Sequence, residues 1–544
     1  MYYAPMLQSP KKKSTLADIK ASLEQQRTQF RQRLGGSPAN IWRQFAGRIG
    51  AVLSGGGARG AYEAGVLLAF QDAGLPTHIL TATSIGSINA ACYAANSTGY
   101  VGNAEAVVQA WLDVTRPAVG IDWSRYVLVL GGLVAASAGI ANLLLLWLGD
   151  AGIYFHLTSP GLTWFLLFLA GVAIMFFYDH ISYLYYVLAK VIKGRSWKPD
   201  NRKLAFSVLA NATILAFAWI LFRFAHIHVS TEVLELDRPT AALVAAGGIL
   251  ALVLWFLLRD RISQLSHKFL RLPLRSGLFP NFERTRFLRA RIPEDGLRAS
   301  PIRVVITAAD LRTGKEKFFV NCASAELRRD PGVDLPFIDD RVDTPEDLMK
   351  AIIASSAFPM AYEMVEIAGG WWTDGGIVAK QPIHPAIYLG ADVLFLIMVE
   401  PPEQAIGEIK TFLDVGMRTM DVMMAQNLRT DMRLLESVNR ICEQHARELG
   451  VRPEQICMEI GGRPYRYIKS FTVRPASDLS AALLDFDGAM AAPLVEQGYV
   501  DGGKAVLEFQ SYLAQVPSQL KRHLLRLREE DEIARVQEGS AEQP

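Results

Sequence analysis

Between residues 126 and 258 lie four stretches of about 18 to 23 residues without a charged side chain: Tyr126 to Leu148, Gly161 to Tyr178, Leu204 to Phe222 and Thr240 to Leu258. At about 1.5 Å per residue each can cross a hydrocarbon layer roughly 30 Å thick. They account for a mean hydropathy of +0.18 in a chain of 544 residues that is 20% charged. The loops between them alternate in charge. Gly149 to Pro160 holds no Lys or Arg, whereas the next linker holds Lys190, Lys193, Arg195, Lys198, Arg202 and Lys203. The third loop sets Arg223 and Arg238 beside Glu232, Glu235 and Asp237, and Arg259, Arg261, Lys268, Arg271 and Arg275 follow the last stretch. An excess of Lys and Arg marks the cytoplasmic side, so both ends of this region are expected there. Asp179 and His180 interrupt the second hydrophobic run, and the continuation from Ile181 to Ala189, with Tyr183, Tyr185 and Tyr186, reads as an interfacial segment.

On either side of this region sit segments with a different pattern. Ile49 to Leu53 is a short apolar strand, followed by Ser54-Gly55-Gly56-Gly57-Ala58-Arg59-Gly60. A turn without Cβ atoms can aim several backbone N–H groups at one point where negative charge develops. A second strand, Ile79 to Ala82, runs into Thr83-Ser84-Ile85-Gly86 and then into small residues suited to a helix packed tightly on a strand. That pattern is a strained strand-to-helix turn presenting the Ser84 hydroxyl. Far downstream come Thr307-Ala308-Ala309-Asp310-Leu311-Arg312-Thr313-Gly314, then Ala354 to Pro359 (ASSAFP), then Asp374-Gly375-Gly376. A nucleophile, a proton acceptor and oxyanion donors are the parts an acyl-transfer site needs.

Five motifs in this order resemble the patatin-like phospholipase family, over roughly residues 48 to 115 and 300 to 400, with weaker similarity to about 510. The resemblance implies a layered α/β hydrolase domain, and the four uncharged stretches interrupt it as an all-α transmembrane insert of about four helices. It implies Ser84 as nucleophile, Asp374 as base and an oxyanion hole from Gly55, Gly56, Gly57 and Ile85, with Arg59, Gly60, Gly86, Gly375 and Gly376 as motif support. Arg59 is expected to anchor its loop, with attraction of a phosphate headgroup as the alternative. Two positions depart from the family's pattern: Ala82 stands where the elbow's first glycine is common, and Lys380 where an asparagine often follows the DGG. The expected substrate is an acyl ester of a membrane phospholipid or lysophospholipid, with no cofactor, no metal and no nucleic acid; an acyltransferase, a thioesterase, or a scaffold or transporter with a degenerate hydrolase domain are the alternatives.

The expected organisation is a basic N-terminal extension (1–47), a first half-domain (48–120), the insert (121–275), a second half-domain (276–515) and a charged tail (516–544). Ser84 and Asp374 flank the insert, so contact between them requires an even number of crossings; the hydrolase domain is expected on the cytoplasmic face of a multi-pass inner membrane. The N-terminal basic helix, Ser14 to Leu34, reads either as a lipid-touching or as a solvated extension. No secretory signal is visible. Thr344 is expected to cap a helix running from Pro345 to about Ala357. The four cysteines show no metal-binding spacing and read as reduced thiols. Gly55-x-Gly57-x-x-Gly60 also fits a dinucleotide fingerprint, but no acidic residue ends the second strand to hold a ribose. His384 and His445 are the candidates for a serine–aspartate–histidine triad, and the proximity of His384 to the DGG argues for a structural role.

Overall fold

A computed structural model describes residues 16–35, 45, 47–121, 277, 279–330, 333–334, 337, 341–359, 361–401, 412–460, 463–479 and 486–515. It also describes seven isolated positions (131, 132, 136, 171, 174, 208 and 212), all helical. Residues 1–121 with 277–544 cluster into one unit and 122–276 into another. The four uncharged stretches therefore lie almost wholly outside the described residues. Among the described residues no helix is long and apolar enough to cross a membrane.

The first unit is built on one mixed sheet. Its strands in chain order are β1 (Ile49–Leu53), β2 (Ile79–Thr83), β3 (Arg303–Asp310), β4 (Lys315–Val320), β5 (Val342–Asp343), β6 (Val365–Ile367), β7 (Gly370–Asp374) and β8 (Val393–Ile397). A small hairpin of β9 (Cys457–Ile460) and β10 (Arg463–Arg466) precedes β11 (Lys469–Val473). The sheet order is β11-β8-β1-β2-β3-β4-β5, parallel from β11 to β3 and antiparallel between β3 and β4. All five residues of β1, β2 and β8 are buried, as continuous apolar runs covered on both faces require. The central strands interleave: β1 and β2, from before the insert, lie between β8 and β3, from after it.

The covering helices are α1 (Leu16–Arg33), α2 (Ala61–Asp72), α3 (Ile85–Ala95), α4 (Ala104–Leu112), α5 (Phe282–Arg289), α6 (Leu348–Ser355), α7 (Phe412–Leu449) and α8 (Gly488–Gln515). Close approach of α2 to α8 depends on glycine: a Cβ on Gly498 would lie 1.9 Å from the Tyr62 carbonyl oxygen. The chain leaves this unit after Ile121 and returns at Gly277. Its two ends meet there, since Gly120, at φ +86°, packs so tightly on Pro280 that a Cβ would lie 2.7 Å from the Pro280 carbonyl oxygen.

Two details differ from the sequence reading. Helix α6 starts later than expected and is capped by Asp347, whose side chain accepts from the Lys350 amide at 3.2 Å, not by Thr344. Thr344 is engaged elsewhere, donating to the Cys322 carbonyl at 2.9 Å. Helix α1 is docked on this unit through part of its basic face, while Lys20, Arg31 and Arg33 stay exposed. Arg27 forks onto Asp72 at 2.8 and 2.9 Å, Arg31 reaches the same carboxylate at 2.6 Å, and Phe30 packs edge-on against Tyr499 of α8. Burial pushes the Asp72 carboxyl up, but the bonds from Arg27 and Arg31 outweigh it and hold it below its ordinary value. The TAADLRTG segment divides between β3, which runs on to Asp310, and a turn at Gly314.

Candidate active site

The sheet register explains why two residues 290 positions apart meet. Thr83, the last residue of β2, pairs with Thr307 of β3, and the next residue of β3, Ala308, pairs with Asp374 at the end of β7. Strand β7 thus takes up the edge of β3 where β2 leaves it. The turn after β2 places Ser84 beside the end of β7, and Ser84 Oγ donates to Asp374 Oδ2 at 2.6 Å.

Each side chain is held by backbone. Ser84 has φ +55° and ψ −126°, a left-handed conformation rare for a residue with a Cβ. Gly86 permits the turn, because a Cβ there would lie 2.9 Å from both the Leu53 and Ser54 carbonyl oxygens. The Ser84 amide donates to Ser355 Oγ at 3.0 Å, and Ser355 Oγ pairs with Ser87 Oγ at 2.6 Å. Asp374 accepts at Oδ1 from the Gly376 amide at 2.7 Å, and its own amide donates to the Ala357 carbonyl at 3.0 Å. Its carboxyl is buried, and burial pushes its pKa up from 3.8 to about 6; the Ser84 hydroxyl, the Gly376 amide and the charges of Arg284 and Lys380 pull the other way. Gly375 and Gly376 form the turn that follows.

The glycine loop lies across from this pair. The amides of Gly56, Gly57 and Ile85 have no hydrogen-bond partner among the described residues, and these residues line one cleft with Ser84. Gly55 differs from expectation: its amide donates to the Lys380 carbonyl at 3.1 Å and so ties the loop to the aspartate segment. Lys380 has a second task, since its ammonium pairs with Glu400, and Arg59 lies 3.9 Å from the same carboxylate. Arg59 thus faces an anchor, as expected, and Gly60 packs on Ile85 and Trp111.

The cleft extends from Ser84 past Trp111, Val114 and Val119 to Phe287, Leu288 and Phe486. That apolar lining suits a ligand with a hydrocarbon portion. Val119 and Phe287 belong to the two segments by which the chain leaves and re-enters this unit.

The histidines lie apart. His384 Nδ1 is 3.7 Å from Asp431 and its ring stacks on Tyr388, while His445 is exposed on α7 and bonds the Ile441 carbonyl. Both carboxylate oxygens of Asp374 are engaged, by Ser84 and Gly376. Three buried groups escaped the sequence reading. Ser355 belongs to a motif that was noticed without a role. Glu63 sits beneath the glycine loop, held by Asn89, which also bonds the Gly60 carbonyl and accepts from Trp111 Nε1; burial pushes the Glu63 carboxyl up to about 8. Arg284 is one of four arginines in a short segment and only packing singles it out.

A sheet-borne serine at a left-handed turn, in direct contact with a buried aspartate and facing free amides, defines a class of serine-type hydrolase sites. Comparison with known proteins agrees. The Patatin family, patatin-like phospholipase, matches residues 51–387, and the chain belongs to that family, a class of hydrolases. Lysophospholipase nte1 of Aspergillus terreus is 51% identical over 53 residues, 10% of this chain and 4% of that protein. Lysophospholipase nte1 of Aspergillus niger is 37% identical over 87 residues, 14% of this chain and 6% of that protein. Patatin-like phospholipase domain-containing protein ZK370.4 of Caenorhabditis elegans is 54% identical over 46 residues, 8% of this chain and 3% of that protein. The matches therefore span only a few per cent of these much longer relatives. Among solved structures, VipD from Legionella pneumophila aligns over 85% of this chain and 67% of its own, with 10% identity and a TM-score of 0.29.

Proposed function

We propose that the chain is a membrane-embedded lipid acyl hydrolase that cleaves acyl esters of phospholipids or lysophospholipids through a Ser84–Asp374 dyad. The observation that carries this reading is the 2.6 Å hydrogen bond from Ser84 Oγ to Asp374 Oδ2 at one end of an apolar cleft. Ser84 Oγ attacks the ester carbonyl while its proton passes to Asp374, and the amides of Gly56, Gly57 and Ile85 receive the oxyanion. Collapse breaks the ester bond; the departing alcohol takes the proton from Asp374 and leaves an acyl group on Ser84. Water then attacks that acyl-serine with Asp374 again as base, releasing a fatty acid. The raised pKa makes Asp374 a better base than an ordinary carboxylate.

In this reading 48–120 and 276–515 are the two halves of the hydrolase domain, and 121–275 is an insert of four membrane spans with both ends cytoplasmic. The loop charges support it, and so does the contact of Gly120 with Pro280, which brings the two ends of the insert together as an even number of crossings requires. A membrane lipid is then the natural source of the acyl chain.

A fluorophosphonate probe on the full chain in membranes tests the chemistry. It should label Ser84, and Ser84→Ala and Asp374→Asn should each lose at least about 10³-fold in lysophospholipid hydrolysis, with the double variant scarcely worse, because the pair acts as a unit. Substantial hydrolysis by Ser84→Ala sinks the mechanism. Single cysteines test the topology: those at Gly152 and Glu232 should react with an impermeant maleimide from outside, while those at Lys198 and Asp310 stay protected. A site on the wrong side changes the number of crossings.

A further inference from the structure

The supports of Ser84 and Asp374 converge on one buried cation. Arg284, on α5, is 3% exposed and makes no salt bridge among the described residues. Its Nη1 donates to the Ser356 carbonyl, and its Nη2 donates to the Ile353 carbonyl at 3.2 Å and to Asn281 Oδ1 at 2.6 Å, while the guanidinium lies 4.0 Å over the Tyr362 ring. These two carbonyls are at the C-terminal end of α6, where unpaired carbonyls and the helix dipole favour a positive charge. The same helix end holds both partners of the pair. Ser355 Oγ accepts from the Ser84 amide, and the Ala357 carbonyl accepts from the Asp374 amide at 3.0 Å and from Thr373 Oγ1 at 2.7 Å.

We propose that Arg284 is a positioning residue for the dyad: it clamps the end of α6 to which Ser84 and Asp374 are tied, and it supplies the buried positive charge that keeps Asp374 ionised. The inference rests on Ser84 and Asp374 being the reacting pair. Neutral donors could cap a helix end equally well, whereas burying a guanidinium without a carboxylate is expensive. The charge therefore needs a counter-charge, and Asp374 and Glu363 provide it.

Other charged groups lie around this pair, and Glu363 shares Arg284 with Asp374. Lys380, from the segment after the DGG turn, is paired with Glu400, which Arg59 also approaches. Glu363 reaches Arg284 through Asn281, whose side-chain amide donates to the Glu363 backbone carbonyl at 2.7 Å. Glu63, beneath the glycine loop, is pushed by burial up to about 8 and is protonated near neutral pH. Met424 of α7 faces Gly376 without charge. Arg284 itself is lowered by burial to about 10 and remains a cation across the working range.

The test is the pH dependence of Ser84 phosphonylation by a fluorophosphonate, followed in the full chain. The acid limb of the wild-type profile should lie near pH 6, where Asp374 titrates. In Arg284→Met it should move up by about one pH unit or more, the effect of removing an opposite charge from a buried carboxylate. The loss would then be about fivefold greater at pH 6 than at pH 9. Arg284→Lys keeps the charge but cannot reach the same set of acceptors, so its rate should fall by a similar factor at every pH with the limb unmoved. A clamp without an electrostatic part would lower all variants uniformly. The proposal is overturned if the Arg284→Met limb coincides with the wild type, or if Arg284→Lys shifts the limb as far as the neutral variant does. Should the methionine variant not fold, Arg284→Gln, which retains N–H donors for the α6 carbonyls, carries the same comparison, and the lysine limb decides independently. A wild-type protein that never labels refutes the esterase reading; one that labels with a limb indifferent to residue 284 refutes only the role of Arg284.

Discussion

Two strand ends meet at the site, and they are held by different physics. Ser84 sits on a turn whose strain is local: a non-glycine residue at φ +55° costs about 1–3 kcal/mol and survives because its neighbours leave no alternative. Asp374 sits at ordinary dihedrals, φ −51° and ψ 126°, and its cost is electrostatic, a carboxyl 1% exposed that must ionise to work. The serine turn depends on the glycines around β1 and β2 and on Ser355 of α6. The aspartate turn depends on charge and amides brought from α5, α6 and the segment after the DGG; its shape is fixed at Gly375, where a Cβ would lie 2.3 Å from the Thr307 carbonyl oxygen, while Gly376 has more room. A shape change at Gly86 should therefore damage the first turn more than one at Gly376 damages the second, and substitutions of charge should act on the second.

The largest effect expected from this contrast is at Gly86. A Cβ there meets two backbone carbonyl oxygens at 2.9 Å, groups that cannot rotate away. Gly86→Ala should lose on the order of 2–4 kcal/mol of stability and most of the fluorophosphonate labelling. Gly376→Ala is the matched change on the aspartate side. There the nearest atoms are Asp374 Oδ1 at 3.0 Å and the flexible end of Met424 at 3.4 Å, which can give way. It should cost about 1 kcal/mol or less in stability while displacing the carboxylate enough to slow labelling. Equal destabilisation of the two variants, read by thermal unfolding of the purified chain, would break the distinction between a shape-held and a charge-held turn.

This difference also decides what was legible in the sequence. The serine turn could be read because its requirements are local and compositional: a strand, glycines where Cβ atoms do not fit, and small residues in α3. The direct Ser84–Asp374 contact was expected from motif order. The register that creates it, with β7 docking on β3 just where β2 ends, had no local signal, because an antiparallel pairing such as Ala308 with Asp374, far apart in the chain, is set by tertiary packing. Gly55 was assigned to the oxyanion hole by its place in a glycine run, and only the fold reveals that its amide is engaged by Lys380. Lys380, a departure from the family's pattern, keeps its place by pairing with Glu400, twenty positions away. Arg284 lies among Arg286, Arg289 and Arg291 in a segment whose polarity suggests a solvated face, and nothing in the spacing distinguishes the one that turns inward. Likewise Thr344 and Asp347 both satisfy the preferences of an N-cap, and competition for Thr344 from the Cys322 carbonyl selects the second.

The smallest expected effect has the opposite sign to most active-site changes. The Asp374 pKa is raised from 3.8 to about 6 on folding, chiefly by burial. Below pH 4 the carboxyl is neutral in both folded and unfolded chains, and it does not oppose folding. As pH rises, the unfolded chain ionises first and gains an advantage that grows until the folded carboxyl also ionises, near pH 6. Above that the penalty is constant, and a rise of about two pH units at roughly 1.4 kcal/mol each makes it about 3 kcal/mol. An asparagine cannot ionise, yet it can still accept from the Gly376 amide. Asp374→Asn should therefore be inactive but more stable than the wild type at pH 8, by at most that amount, with the advantage shrinking between pH 6 and pH 4 and absent below. Ser84→Ala, which leaves the left-handed backbone and the buried carboxyl in place, should show no such pH-dependent gain. Thermal unfolding of the three proteins at pH 4, 6 and 8 decides it. An Asp374→Asn variant that is no more stable at pH 8 would mean that Arg284 and the surrounding amides already compensate the buried charge in full, and that the aspartate turn carries no stored cost comparable to the strain at Ser84.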